Sequence, residues 1–170
     1  METKNYPNSN QESAKTVAFI DAQNVWQGVT KQGWKLDWKL FREYLISKYN
    51  VSIAYMFIGF VQENQALYDN LKKAGYELMF KPTSRFNGKI KGNVDANIVY
   101  HAMKHYNEYG KGLLVAADGD YYQMVDDLYQ AQKLQAVISP NLRHESAYLL
   151  KQASRERLFC LNEIKHLVSR

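Results

Sequence analysis

Apolar residues along the chain fall into five short runs separated by stretches of helical period. The runs are "TVAFI" (16–20), "VSIAYMFIGF" (51–60), "YELMF" (76–80), "GLLVAA" (112–117) and "LQAVIS" (134–139), each of strand length and rich in β-branched or aromatic residues. Between them, "DWKLFREYLISKY" (37–49) puts Trp38, Phe41, Leu45 and Ile46 on one stripe, with Asp37 as its cap. "NQALYDNLKKAG" (64–75) stops at Gly75, and "VDANIVYHAMKHYNEYG" (94–110) and "DYYQMVDDLYQAQ" (120–132) complete the helical set. The segment from Asn141 to Leu167 reads as one or two helices. Strands alternating with helices predict an α/β fold, with a mainly parallel sheet of about five strands covered on both faces.

Composition changes this picture little. The polar residues 1–15 read as a disordered leader, and 16–170 as a single domain large enough to bury a core without staples. Apolar residues make up 46% and charged residues 23%, the balance of an ordinary globular protein, and no apolar run approaches a membrane span. One cysteine, Cys160, excludes an intramolecular disulfide framework and a Cys-rich zinc site, and suits a cytoplasmic home. Its apolar setting in "LFCLNEI" reads as a buried thiol. A net charge of +5 leans toward polyanionic partners, as do the 13 tyrosines, although any one Tyr is more often a packing residue.

Acidic residues alter the reading more. In open parallel sheets, ligands sit beyond the carboxyl ends of the strands. Asp21 ends the first run, Asp118 and Asp120 follow the fourth, and Asp95 lies in the first turn of the helix entered from the third. All four are therefore expected on one rim, with Asn24 beside them. Singly, each is as well explained as a helix cap, a turn residue or a favourable N-terminal charge. Together they would repel unless a hard divalent cation such as Mg²⁺ or Mn²⁺ sat among them. Such an ion activates water and stabilises charge developing on a phosphoryl oxygen.

These residues resemble the NYN domain, of the LabA/DUF88 branch within the PIN-like nuclease superfamily, over about residues 16 to 155. "FIDAQNVW" is similar to the family's opening hydrophobic-Asp-x-x-Asn, and "KGNVDANIVYHAM" to its Lys-Gly-x-Asp helix start, with one extra residue. "LLVAADGDYYQMVDDL" resembles the strand, Asp-x-Asp, aromatic and helix that follow, and "AVISPNLRHESAYLLKQAS" the closing strand and helix. The resemblance implies a PIN-like three-layer α/β/α sandwich and a metal-dependent ribonuclease that hydrolyses RNA phosphodiesters, endonucleolytically, with Mg²⁺ or Mn²⁺. Carried over, Asp21, Asp95, Asp118 and Asp120 match the family's acidic positions, the first three expected as direct ligands and Asp120 as a ligand or a water-orienting group. Asn24 matches its opening Asn as a substrate-positioning residue. His101, outside the family pattern, is expected to position substrate as a cation toward phosphate or to serve as a weak metal ligand. There are two departures. His101 stands where relatives often have a further Asp, and Ala116-Ala117 replaces a serine-containing pair.

The stretch 81–94 carries Lys81, Arg85, Lys89 and Lys91 with Phe86 among them, and is expected to clamp RNA phosphate and stack a base above the acids. His101 and His105 lie one turn apart, more plausibly as a surface or groove-facing pair than as zinc ligands. Trp26 could floor a substrate groove, though packing is the better reading. The competing function is a catalytically inactive RNA- or protein-binding scaffold with the same fold. An aspartate-nucleophile phosphatase ranks last, since Gln23 stands where its second Asp belongs. A homodimer is left open.

Overall fold

The first strand, β1 (Thr16–Asp21), is buried at every position. Its side chains alternate between two apolar clusters, Ala18 and Ile20 entering one and Val17 and Phe19 the other. A strand covered on both faces is the mark of a parallel sheet between helical layers. The structure is a computed structural model that describes residues 15–81, 84–86, 89–91 and 94–170, with side chains described outside 82–94. Residues 1–14 of the expected leader lie outside the described residues.

After β1 come α1 (Ala22–Lys31), α2 (Trp38–Tyr49), β2 (Val51–Gly59), α3 (Gln65–Lys73) and β3 (Glu77–Lys81). A short antiparallel hairpin, β4 (Ser84–Phe86) and β5 (Lys89–Lys91), leads to α4 (Val94–Lys104). Then follow β6 (Lys111–Val115), α5 (Tyr122–Gln130), β7 (Leu134–Ser139), α6 (Tyr148–Ser154), β8 (Leu158–Cys160) and α7 (Lys165–Val168). The main sheet has six strands in the order β3-β2-β1-β6-β7-β8, and every pairing in it is parallel. Residues of α1, α2, α3 and α7 join one apolar cluster, and residues of α4, α5 and α6 the other, giving an α/β/α sandwich. Among the described residues, no helix is long and apolar enough to cross a membrane.

The order has a functional consequence. From β1 the chain winds outward through β2 to β3, then returns to the other side of β1 at β6. The reversal leaves β1 and β6 as neighbours whose following segments diverge to opposite faces, and a crevice opens at their carboxyl ends.

Local chemistry explains the element ends. Asp37 caps α2, its Oδ1 accepting the N–H groups of Lys39 and Leu40 at 2.9 and 3.0 Å. Gly75 closes α3 with φ of 95°, where a side chain would be strained. Gly28 lets α1 approach the β7 end, since a Cβ there would meet the Pro140 Cβ at 2.7 Å. The buried Arg42 guanidinium donates to the carbonyls of Gly75, Val51 and Ser52, joining α2 to β2 and the start of β3.

The structure departs from the expected pattern at several points. Ile46 is 49% exposed, so the buried stripe of α2 runs through Phe41, Arg42, Leu45 and Tyr49. Residues 22–31 form a helix that the hydrophobic spacing left unassigned. The third run begins at Glu77 instead of Tyr76, and α4 stops at Lys104, where Tyr109 folds back to donate to the Ala102 carbonyl. The C-terminal segment holds a sixth parallel strand, β8, between two helices. Three residues of alternating burial are too few to display a strand period in sequence.

Candidate metal centre at the sheet switch point

Asp21 ends β1 and is 4% exposed. Its Oδ1 accepts the Asn24 N–H at 3.0 Å, capping α1, and the Tyr121 hydroxyl lies 3.2 Å from Oδ2. Burial pushes its carboxyl above the ordinary range, and the Asp95 charge adds to the rise. The Asn24 N–H, the Tyr121 hydroxyl and the Lys81 ammonium act in opposition.

Tyr121 closes the short turn after β6 and is fully buried. Its hydroxyl lies 2.7 Å from Asp95 Oδ1, and having one proton it donates chiefly there, leaving the longer contact to Asp21 the weaker. Burial foremost, then the charge of Asp21, keeps the phenol protonated far beyond neutral pH. Tyr121 is thus a fixed donor wedged between two acids from different elements. The sequence held it in plain view, directly after Asp118-Gly119-Asp120. An aromatic there reads equally well as helix packing, so its polar end gave no signal of its own.

Asp118 follows β6 and caps the turn, its Oδ1 accepting the Asp120 N–H at 3.0 Å. Asp95 stands in the first turn of α4, as its position predicts. Asp95, Asp118 and Asp120 each present a carboxylate oxygen within 4.8 Å of the others. That is on the scale of the ~4 Å separating opposite oxygens around Mg²⁺ at ~2.1 Å. The donors are all hard oxygens on a partly solvated rim, the chemistry that takes a hard divalent cation. Asp21 does not join this group of three; it reaches the group through Tyr121.

Asn24 also fastens the backbone. Its Oδ1 accepts the Ala117 N–H at 2.6 Å, which pins α1 to the segment carrying Asp118. Ala116 and Ala117 are both buried at this junction. His101 lies deeper along α4, edge-on to Phe57 with centroids 5.5 Å apart and stacked on His105 at 6.0 Å. Its Nδ1 is buried and has no hydrogen-bond partner among the described residues. Burial, then the neighbouring His105 and Lys104, depress its pKa, which disfavours the charged ring. His105 instead pairs with Glu108 at 2.7 Å.

Of the basic stretch, Lys81 ends β3, and its charge is felt at Asp21. The backbone of β4 and β5 joins β3 to α4, the element bearing Asp95. The side chains of Arg85, Phe86, Lys89 and Lys91 lie outside the described residues. Trp26, expected to pack, is 62% exposed, and Cys160 is buried as expected.

Comparison with known proteins finds relatives of this chain. The family model of the NYN domain matches residues 15–158. The "Low amplitude and bright protein LabA" of Synechococcus elongatus is 24% identical over 168 residues, covering 92% of this chain and 89% of the relative. Among solved structures, a protein of unknown function, VPA0982 from Vibrio parahaemolyticus, superposes with a TM-score of 0.72 at 21% identity, covering 87% of this chain and 93% of that one. A T5 5'-exonuclease structure with zinc bound reaches a TM-score of 0.45 at 14% identity, covering 74% of this chain and 55% of that one.

Proposed function

The chain belongs to the NYN domain family, and from that premise we propose that it is a metal-dependent ribonuclease that hydrolyses RNA phosphodiesters endonucleolytically with Mg²⁺ or Mn²⁺. One observation carries the reading: three carboxylates from two distant segments converge at the switch point of a parallel sheet, with a fourth tied in beneath them. Asp95, Asp118 and Asp120 would hold the ion, which supplies activation of water and charge neutralisation at phosphorus. Asp21 and Tyr121 fix the orientation of Asp95, and Asn24 holds the Asp118 segment against α1. Lys81, with the basic residues that follow it in the sequence, would receive the phosphate backbone.

The test is cleavage of labelled RNA by purified protein with Mn²⁺, compared with EDTA and with Asp118→Asn. Cleavage that needs the ion and is lost in the variant supports the reading. Equal residual cleavage in wild type and variant would mark a contaminant and end it. A scaffold that binds RNA without cutting it is the second reading, favoured by His101 in the place of an acid and by the buried Ala116-Ala117. It predicts RNA binding unaffected by EDTA, with no turnover under any divalent ion.

A further inference from the structure

Trp38 borders three adjoining clefts on the face formed by α1, α2 and α3. The first, of about 590 Å³, lies between α1 and the segment entering α2, with Trp26, Trp34 and Lys35 in its wall. The second, of about 250 Å³, is strongly apolar and runs from Gln23 past Trp26 to Ile58 and Leu67. The third passes Lys39, Leu67, Lys73 and Arg170. Trp26 is shared by the first two and Leu67 by the last two, so the clefts form one continuous groove.

One end of it reaches the start of α1, beside the carboxyl end of β1. Ala22 and Gln23 line it directly after Asp21, and Trp26 stands one turn further along the same face as Gln23. An indole 62% exposed, beside a half-buried second indole, is a large apolar surface left to water. Among the described residues, four cations line the groove, Lys35, Lys39, Lys73 and Arg170, against one acid. That acid, Asp37, is occupied in capping α2 and pairing with Arg170. Lys165 adds a further cation, 5.8 Å above the Trp34 ring.

Flat aromatic platforms interleaved with cations are the chemistry of a strand whose bases are unpaired. A duplex keeps its base faces stacked inside and cannot offer them to an indole. A second copy of this chain would bring like charge to like charge across a self-complementary contact. We infer that this groove is a base-stacking track for single-stranded RNA flanking the bond held at the acidic rim, with Trp26 and Trp38 as platforms and Lys39 and Lys73 as phosphate contacts; the inference rests on the ribonuclease reading above.

The experiment is fluorescence anisotropy of the full chain with labelled single-stranded and duplex RNA, in EDTA so that no bond is cut. Trp26→Ala should bind the single strand about ten-fold more weakly, while Trp26→Phe retains most of the affinity and duplex binding barely changes. Because Trp26 is exposed, its replacement leaves the fold intact, which thermal unfolding verifies. Wild-type affinity in Trp26→Ala overturns the track, as does a shift from dimer to monomer in sedimentation with RNA affinity unchanged. Cleavage with Mn²⁺ is followed in parallel. A wild type that cuts RNA while Trp26→Ala binds normally loses the track and keeps the nuclease. A Trp26-dependent wild type that never cuts keeps the track as a binding site and loses the nuclease.

Discussion

The acidic rim and the aromatic groove adjoin along α1, yet they are assembled in opposite ways. At the rim the working groups are short carboxylates fixed within one or two bonds of strand ends and helix starts, and their neighbours hold them: Asn24 to Ala117, Tyr121 to Asp95, Asp118 to the Asp120 N–H. In the groove the groups are long side chains on helix surfaces, Trp26, Lys39 and Lys73, all exposed. The rim concentrates like charge and needs a counter-ion to be stable in that form. The groove spreads opposite charge among apolar faces and needs nothing until a polyanion arrives. Positional precision belongs to the rim, as bond-breaking requires, and adaptable grip to the groove.

The division can be broken experimentally, most severely at the rim. Asp118→Asn should reduce Mn²⁺-dependent turnover by about a thousand-fold, several kcal/mol of lost charge stabilisation. The same variant in EDTA should bind single-stranded RNA as well as wild type. If its binding falls as far as that of Trp26→Ala, rim and groove are not separable.

Asn24→Ala tests the link between the two regions. It leaves the buried Ala117 N–H without its acceptor, at a cost of about 1–3 kcal/mol in denaturant unfolding. Turnover should fall about ten-fold as the Asp118 segment loosens, with the groove's affinity for RNA unchanged.

Asp21→Asn sharpens the contrast through pH. The Asp21 carboxyl is raised in the folded protein mainly by burial, so folding favours its protonated form. Its contribution is fully present below the unfolded value of 3.8 and is lost as pH rises through the elevated folded value. Asparagine carries no such penalty. In EDTA the variant should therefore match wild type at acid pH and melt about 2–4 °C higher at neutral pH, while losing turnover. A lower melting temperature at neutral pH would show that the carboxylate is stabilised where it sits.

The smallest effect is expected at Lys73→Ala. Removing one phosphate contact should flatten the dependence of log affinity on log salt by about 0.7 for a single strand. An unchanged slope would place the RNA elsewhere.

Much of the rim was legible beforehand because strand ends are visible in a sequence. "TVAFI" then Asp21, and "GLLVAA" then Asp118, fix both residues at carboxyl ends once the sheet is parallel. Asp95 followed from the direction of the helix that carries it. Legibility failed for groups whose role depends on what they face. Tyr121 looked like one more aromatic, and nothing in the pattern announced that the Asn24 Oδ1 would hold the Ala117 N–H. Trp26 looked like core, because hydrophobicity records the cost of exposure and not where the chain accepts it.

By itself, then, the sequence determined the alternation of strand and helix, the parallel sheet that alternation demands, and which acids end at its rim. These are local facts, written in periods of two and 3.6 and in the caps that end them. Only the tertiary structure decided that β1 and β6 lie side by side, that Asp95, Asp118 and Asp120 gather within 4.8 Å of one another, and that one hydroxyl links Asp21 to Asp95. Those depend on separations of a few ångströms between residues up to a hundred positions apart in the chain. No pattern along a chain encodes such distances; packing sets them.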